Sequence, residues 1–251
     1  MRGGRVQGVQ EGGDTGITAI LAAGSPPSHE VPMRIFRKAE RLIACDGAWR
    51  TAMELGRHPD AVVGDGDSLG DEGRDELARL GIPFVEDHEQ DTNDLCKAVR
   101  HCCLSNDDLS QCLRVNDGGV PSIVILGATG NREDHALGNI FHLIDFAERS
   151  RGIAMVTDAG VFEPVLPPGR TWDAWTGQPV SVFAPLPGTE MESEGLQWTL
   201  KGVDLSALWR GTLNRAVDGP FTVCTNKPAI IFLPHLQSGG VFWYISHLSP
   251  T

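Results

Sequence analysis

The chain is short of basic charge, of long apolar runs and of paired cysteines, and each shortage removes a class of function. Its 251 residues carry 21 Lys and Arg against 33 Asp and Glu, a formal net charge of −12. Nucleic acid and anionic membrane both call for basic patches, so neither is expected as a partner. The apolar stretches are strand-length, well below the roughly 20 residues that cross a bilayer. Cys45, Cys96, Cys102, Cys103, Cys112 and Cys224 include no C-x-x-C pair, so neither a zinc site nor a redox motif is indicated. Residues 1–16 are Gly-rich and polar, without the apolar centre of a secretory signal, and are expected to be a disordered lead-in. Reduced thiols in a cytoplasmic protein follow from that reading. One catalytic signature is missing as well: the glycine turn at Gly127 lacks the Gly-Lys-Ser/Thr of a P-loop.

What is present is organised around acids that follow short apolar runs. Arg41-Leu42-Ile43-Ala44 leads into Asp46-Gly47, and Ala61-Val62-Val63 into Gly64-Asp65-Gly66-Asp67-Ser68. Pro83-Phe84-Val85 runs toward Gln90-Asp91-Thr92-Asn93-Asp94, and Ile123 to Leu126 opens into Gly127-Ala128-Thr129-Gly130-Asn131-Arg132-Glu133-Asp134-His135. If these runs are parallel buried strands, their C-terminal ends share one edge of one sheet, the edge at which open α/β sheets bind ligands. Carboxylates gathered there repel one another unless a cation joins them, and hard cations take oxygen ligands. Arg132 adds a guanidinium suited to phosphate oxygens. The residues therefore point to a Mg²⁺–phosphate site.

The periodicities support that geometry. Ile17 to Leu21 and Ile153 to Val156 read as further strands. Asp71 to Leu80, a segment opened by Asn93 or Asp94 with Leu95, Ala98, Val99 and Cys102 on one face, and Asp134 to Glu148 read as helices. Leu137, Ile140, Phe141 and Ile144 mark the expected inner face of the last. Ser105 to Pro121 is polar and reads as a loop. After Pro164 helical periods vanish, and short β runs follow at Val180–Ala184, Leu196–Leu200, Phe221–Thr225, Ala229–Leu233 and Val241–Ile245, with Thr225-Asn226-Lys227-Pro228 expected as a hairpin turn. The expected fold is α/β, a mostly parallel sheet flanked by helices over residues 17–160, followed by a small all-β antiparallel sandwich over 161–251. Lys97, one turn into its helix, reads equally as a solvated lysine or a phosphate contact.

Taken in order, Asp46-Gly47, Gly64-Asp65-Gly66-Asp67-Ser68, Gln90-Asp91-x-x-Asp94 and Gly127-x-x-Gly130-x-Arg132-x-Asp134-His135 closely resemble the thiamin pyrophosphokinases. Gly195-Leu196-Gln197-Trp198-Thr199-Leu200 is similar to a strand motif of that family, and Gly211-Thr212-Leu213-Asn214 to its Ser/Thr-Asn segment. The resemblance implies an ATP:thiamin pyrophosphotransferase, with ATP as co-substrate, Mg²⁺ as cofactor, and a homodimer with thiamin at the interface. Carried over by position, Asp46, Asp65, Asp67 and Asp94 form the metal and catalytic group. Gln90, Asp91, Asn93, Gly127, Arg132 and Asp134 contact nucleotide or substrate, and Thr212 and Asn214 contact thiamin. Some members carry an aromatic residue after the Ser/Thr-Asn segment; here Arg215 and Ala216 follow, so a stacking partner must come from elsewhere. Two alternatives remain open on sequence: a pterin as acceptor in place of thiamin, and a non-catalytic thiamin- or nucleotide-binding module.

Overall fold

The computed structural model describes residues 16–104, 122–150 and 152–235. Residues 1–15 of the expected lead-in, Cys112 and the whole loop expected over 105–121, and the strand expected over 241–245 lie outside them. Six strands form a parallel array: β1 (Thr18–Leu21), β2 (Arg41–Cys45), β3 (Ala61–Gly64), β4 (Phe84–Glu86), β5 (Ile123–Leu126) and β6 (Ile153–Val156). All but β4 are buried almost throughout. That is why they read as continuous apolar runs: a parallel strand covered on both faces has no solvent side to mark with polar residues. Helices α1 (Glu30–Lys38), α2 (Trp49–Glu54), α3 (Gly70–Leu80), α4 (Asp94–Leu104) and α5 (Glu133–Arg149) alternate with them.

The sheet runs on where the helices stop. Strands β7 (Gly160–Val165), β9 (Pro179–Phe183), β11 (Asn214–Arg215) and β13 (Ala229–Pro234) extend it antiparallel, in the order β11-β9-β13-β7-β6-β5-β1-β2-β3-β4. Met155 and Val156 pair with Phe162 and Val161, so hydrogen bonding passes unbroken across residue 160. Three further strands, β8 (Gly169–Trp172), β10 (Met191–Glu194) and β12 (Phe221–Thr225), make a separate antiparallel sheet. Trp172 ties the two sheets together: its ring stacks on Phe221 at 5.3 Å, and its Nε1–H donates to Glu163 on β7 at 2.7 Å.

Three local expectations need correction. Thr225 to Pro228 is not a hairpin turn, because β12 belongs to the small sheet and β13 to the large one. Leu196 to Leu200 is not a strand; a single bridge, Leu196 to Ala216, is made there. On α5 the buried face is Asn139, Leu143, Ile144, Phe146 and Ala147, while Leu137 is 57% exposed. Leu137 belongs to the first turns of that helix, at the rim where the strands end.

Candidate active site

The strand order reverses beside β1, whose neighbours are β2 on one side and β5 on the other. Ligand crevices of open α/β sheets form at such a point. Two loops meet there. The Gly24 N–H donates to the Gly127 carbonyl at 2.7 Å and the Ser25 N–H to the Thr129 carbonyl at 2.8 Å. A Cβ on Gly24 would lie 2.5 Å from both carbonyl oxygens, so this approach requires glycine. Behind them Asn139 donates from Nδ2 to the Ala128 carbonyl at 2.9 Å and accepts from Asn93 Nδ2 at 3.0 Å. Asn93 also accepts the Cys96 N–H at 3.0 Å, as an N-terminal cap of α4. One amide pair therefore joins the glycine turn to the start of the helix that carries Asp94.

The acids converge from three loops. Asp46 follows β2 and is 1% exposed; Asp65 follows β3; Asp94 opens α4. One carboxylate oxygen from each lies within 4.8 Å of the others. Gly64 makes room, since a Cβ there would sit 2.6 Å from the Asp46 carboxyl carbon. Asp46 Oδ2 accepts the Gly66 N–H at 3.1 Å, whereas its buried Oδ1 has no partner. Burial, followed by the approach of the Asp94 carboxyl, pushes Asp46 up to about 6. Asp67 stands outside this trio: it is exposed, and its N–H donates to Asp65 Oδ1 at 3.2 Å.

Lys97, which on sequence reads equally as a solvated lysine or a phosphate contact, is 2% exposed, with Nζ 2.9 Å from Asp65 and 3.2 Å from Asp94. Burial pulls its ammonium down, but the hydrogen bonds to the two carboxylates outweigh it and hold the group above the ordinary lysine range. The same bond, on its other side, lowers Asp65. An all-oxygen donor set with an unpartnered buried oxygen fits a hard divalent cation such as Mg²⁺.

The remaining expected residues fall into two places. Gln90 and Asp91 are exposed on the loop before α4. Arg100, absent from the sequence-derived set, braces that loop by reaching Asp87 at 3.3 Å, Glu89 at 3.0 Å and Thr92 at 3.1 Å. The Thr92 hydroxyl and the Arg100 guanidinium hold Glu89 down to about 2. Gly127 lies in the glycine turn, and Arg132 and Asp134 form an exposed pair at 2.6 Å just before and inside α5, with Asp134 held at about 2 by the guanidinium. Thr212 and Asn214 lie elsewhere, at the β11 edge. Seven strand spacings of about 4.8 Å separate β11 from β2, roughly 34 Å across the sheet.

At that edge the Asn214 side chain is buried and occupied with backbone. It accepts from the Trp198 N–H at 3.2 Å and the Arg215 N–H at 2.9 Å, and donates to the Trp198 carbonyl at 2.7 Å. The Thr212 hydroxyl donates to the Trp209 carbonyl at 2.7 Å. Around them Trp198, Trp209 and Leu213 are 49%, 71% and 84% exposed, and Leu213 is held in the left-handed region at φ 64°. A hollow of about 730 Å³ opens between Val203, Asp204, Trp209, Thr212 and Leu213. The Arg215 guanidinium lies over the Trp198 ring, 5.5 Å from its centroid.

Two family models match in succession, the thiamin pyrophosphokinase catalytic domain over residues 33–156 and the thiamin pyrophosphokinase substrate-binding domain over 160–232. Thiamine pyrophosphokinase 1 of Oryza sativa subsp. japonica is 31% identical over 183 residues, 69% of this chain and 64% of that protein. Thiamine pyrophosphokinase 3 of the same plant is 29% identical over 155 residues, covering 59% of this chain and 54% of its own length. The chain thus spans less than two thirds of these curated relatives. Among solved structures, thiamin pyrophosphokinase from Geobacillus thermodenitrificans superposes with a TM-score of 0.65 at 22% identity, over 88% of this chain and 99% of that one. The yeast enzyme superposes with a TM-score of 0.68 at 16% identity, over 87% and 86%. At such identities the structural likeness speaks for the fold.

Proposed function

From its membership of the thiamin pyrophosphokinase family, we propose that this chain makes thiamin diphosphate and AMP from thiamin and ATP. The observation that carries the proposal is the trio Asp46, Asp65 and Asp94, gathered within 4.8 Å with one buried oxygen unpartnered. These three carboxylates, joined by Asp67 from the same turn as Asp65, would hold Mg²⁺. When bound, Mg²⁺ supplies neutralisation of phosphate charge and orients the phosphates for in-line displacement. Gly127 and its turn, with Gln90, Asp91, Asn93, Arg132 and Asp134, hold the nucleotide beside the acids. The thiamin hydroxyl oxygen bonds to the β-phosphorus as the bond to the bridging oxygen of the AMP group breaks. One carboxylate of the group receives the hydroxyl proton.

Thiamin recognition belongs to the β11 edge in this reading. Trp198 and Trp209 offer flat apolar faces, and Asn214 fixes the backbone that presents Trp198. Thr212 lines the adjoining hollow. An edge roughly 34 Å from the acids cannot complete a site with them in one chain. The assembly that brings them together is a homodimer, each site pairing the acids of one copy with the aromatic edge of the other. Buried cysteines outside any disulfide, Cys45, Cys96 and Cys102, suit a cytoplasmic location. Among the described residues no helix is long and apolar enough to cross a membrane.

The test is AMP release from Mg·ATP with and without thiamin. Thiamin-dependent AMP is the expected result. ADP in its place would mean transfer of the γ-phosphate and overturn the mechanism. AMP with hydroxymethyl-dihydropterin but not with thiamin would replace the acceptor, and thiamin binding without turnover would leave a binding module.

A further inference from the structure

Lys97 is an odd neighbour for a metal site. Its side chain is 1% exposed, and Leu95, Ala98 and Val99 around it on α4 are buried at 3%, 0% and 1%. An ammonium so enclosed needs anionic partners, and it takes two of the three carboxylates of the proposed metal site, Asp65 at 2.9 Å and Asp94 at 3.2 Å. Arg74, the other cation beside the Asp65 turn, is engaged elsewhere: it pairs with Glu86 and lies over the Phe84 ring at 4.8 Å. Three carboxylates thus share one ammonium, and that share is incomplete. Asp46 Oδ1, buried like Lys97, is left without a partner.

We propose that Lys97 is the resident counter-ion of the site, standing in for the divalent cation between Asp65 and Asp94 and passing to a phosphate of the nucleotide when metal enters. The inference rests on the metal-dependent reading above and says how that site is loaded. A dication on Asp65 and Asp94 draws on the same carboxylates that the ammonium uses and repels it across a few ångströms of shielded interior. The ammonium cannot reach open water from a buried helix face without leaving a charge unpaired. The acceptor that arrives with the metal is the nucleotide phosphate, whose oxygens suit a lysine donor. Metal alone must therefore displace an internal ion pair, whereas metal with nucleotide gives that ion a new partner. Each ligand strengthens the other, by the same factor in both directions.

A structural salt bridge tying α4 to the β3 turn would predict a different response, and metal affinity separates the two. Mn²⁺ binding is followed by loss of the free-ion electron paramagnetic resonance signal, without nucleotide, in wild type, Lys97→Met and Lys97→Arg. The counter-ion role predicts about tenfold tighter Mn²⁺ binding in Lys97→Met and near wild-type binding in Lys97→Arg. It also predicts that the α,β-methylene analogue of ATP, which cannot be cleaved at the transferred bond, tightens Mn²⁺ in wild type much more than in Lys97→Met. Equal or weaker Mn²⁺ binding by folded Lys97→Met overturns the inference and leaves the metal site standing. Binding of Mn²⁺ by neither protein, with or without the analogue, removes the metal reading and the inference with it. Should Lys97→Met not fold, the ¹⁵N ammonium resonance of Lys97 in wild type decides: it must shift on adding Mg²⁺ with the analogue, and an unmoved resonance at saturation overturns the proposal.

Discussion

The two ends of the large sheet solve opposite problems. Around β2, β3 and α4, charge is taken inside: Asp46 and Lys97 are buried, and short glycine turns bring acids from distant parts of the chain into one group. At β11 the polar side chain is inside and the apolar ones are out, with Asn214 spent on the backbone of Trp198 while Trp198, Trp209 and Leu213 face solvent. The first arrangement is closed within one chain, because charges held close in low dielectric must find partners locally. The second is an open apolar edge, the one the proposed function assigns to thiamin and a second copy.

The largest test of that contrast mixes chains. Asp65→Asn removes a carboxylate that the reading places at the transferred phosphates and should cut kcat about a hundredfold. A Trp198→Ala, Asn214→Ala double variant removes the aromatic face and should cut thiamin-dependent turnover about as much. Co-refolded in equal amounts, the two should recover about a quarter of wild-type activity: half the dimers are mixed, and each has one intact site of two. No recovery, with mixed dimers present, would place both regions in one chain's site and break the comparison.

Asp67→Asn comes next. Because Asp67 is exposed and outside the trio, it should lose about a hundredfold in kcat while its melting temperature stays at the wild-type value. Near-normal turnover would strike Asp67 from the metal group. Asn214→Ala alone should destabilise by about 1–3 kcal/mol, since it strands the N–H and carbonyl of Trp198, and should raise the thiamin KM more than it lowers kcat. Thermal unfolding and steady-state kinetics read the two effects separately.

The smallest effect is a pH dependence. Asp46 is raised to about 6 from an ordinary carboxyl near 3.8. The folded chain therefore binds more protons than the unfolded one between those values. In the metal-free protein Asp46 stabilises at low pH, and that contribution fades as pH rises through 6. Metal binding must expel the same proton, so Mn²⁺ affinity should weaken toward about tenfold per pH unit below 6 and flatten above it. Asp46→Asn should abolish the slope. A wild-type affinity independent of pH from 5 to 7.5 would sink the assignment.

Much of this was legible along the chain. The parallel strands announced themselves as apolar runs, and the acids stood just beyond them, where the geometry of a parallel sheet puts its ligands. Other features depend on neighbours far away in sequence. Lys97 looks like any lysine beside a helical stripe, and what pairs with it inside is Asp65, 32 residues earlier on another loop. Asn139 sits among apolar residues of α5 and shows its use through Asn93 and Ala128. Leu196, Trp198 and Leu200 alternate like a strand, yet the Asn214 side chain takes both backbone groups of Trp198 and leaves no ladder to form.

The α/β order of elements, the acids at the strand ends and the family to which their spacing belongs are written along the chain, because strand period and turn chemistry are local properties. Which acids meet, that a lysine stands among them, and that the antiparallel strands carry on the parallel sheet to an edge far from those acids were decided by tertiary structure. Charge pairing, burial and sheet order depend on contacts between segments that no local pattern records.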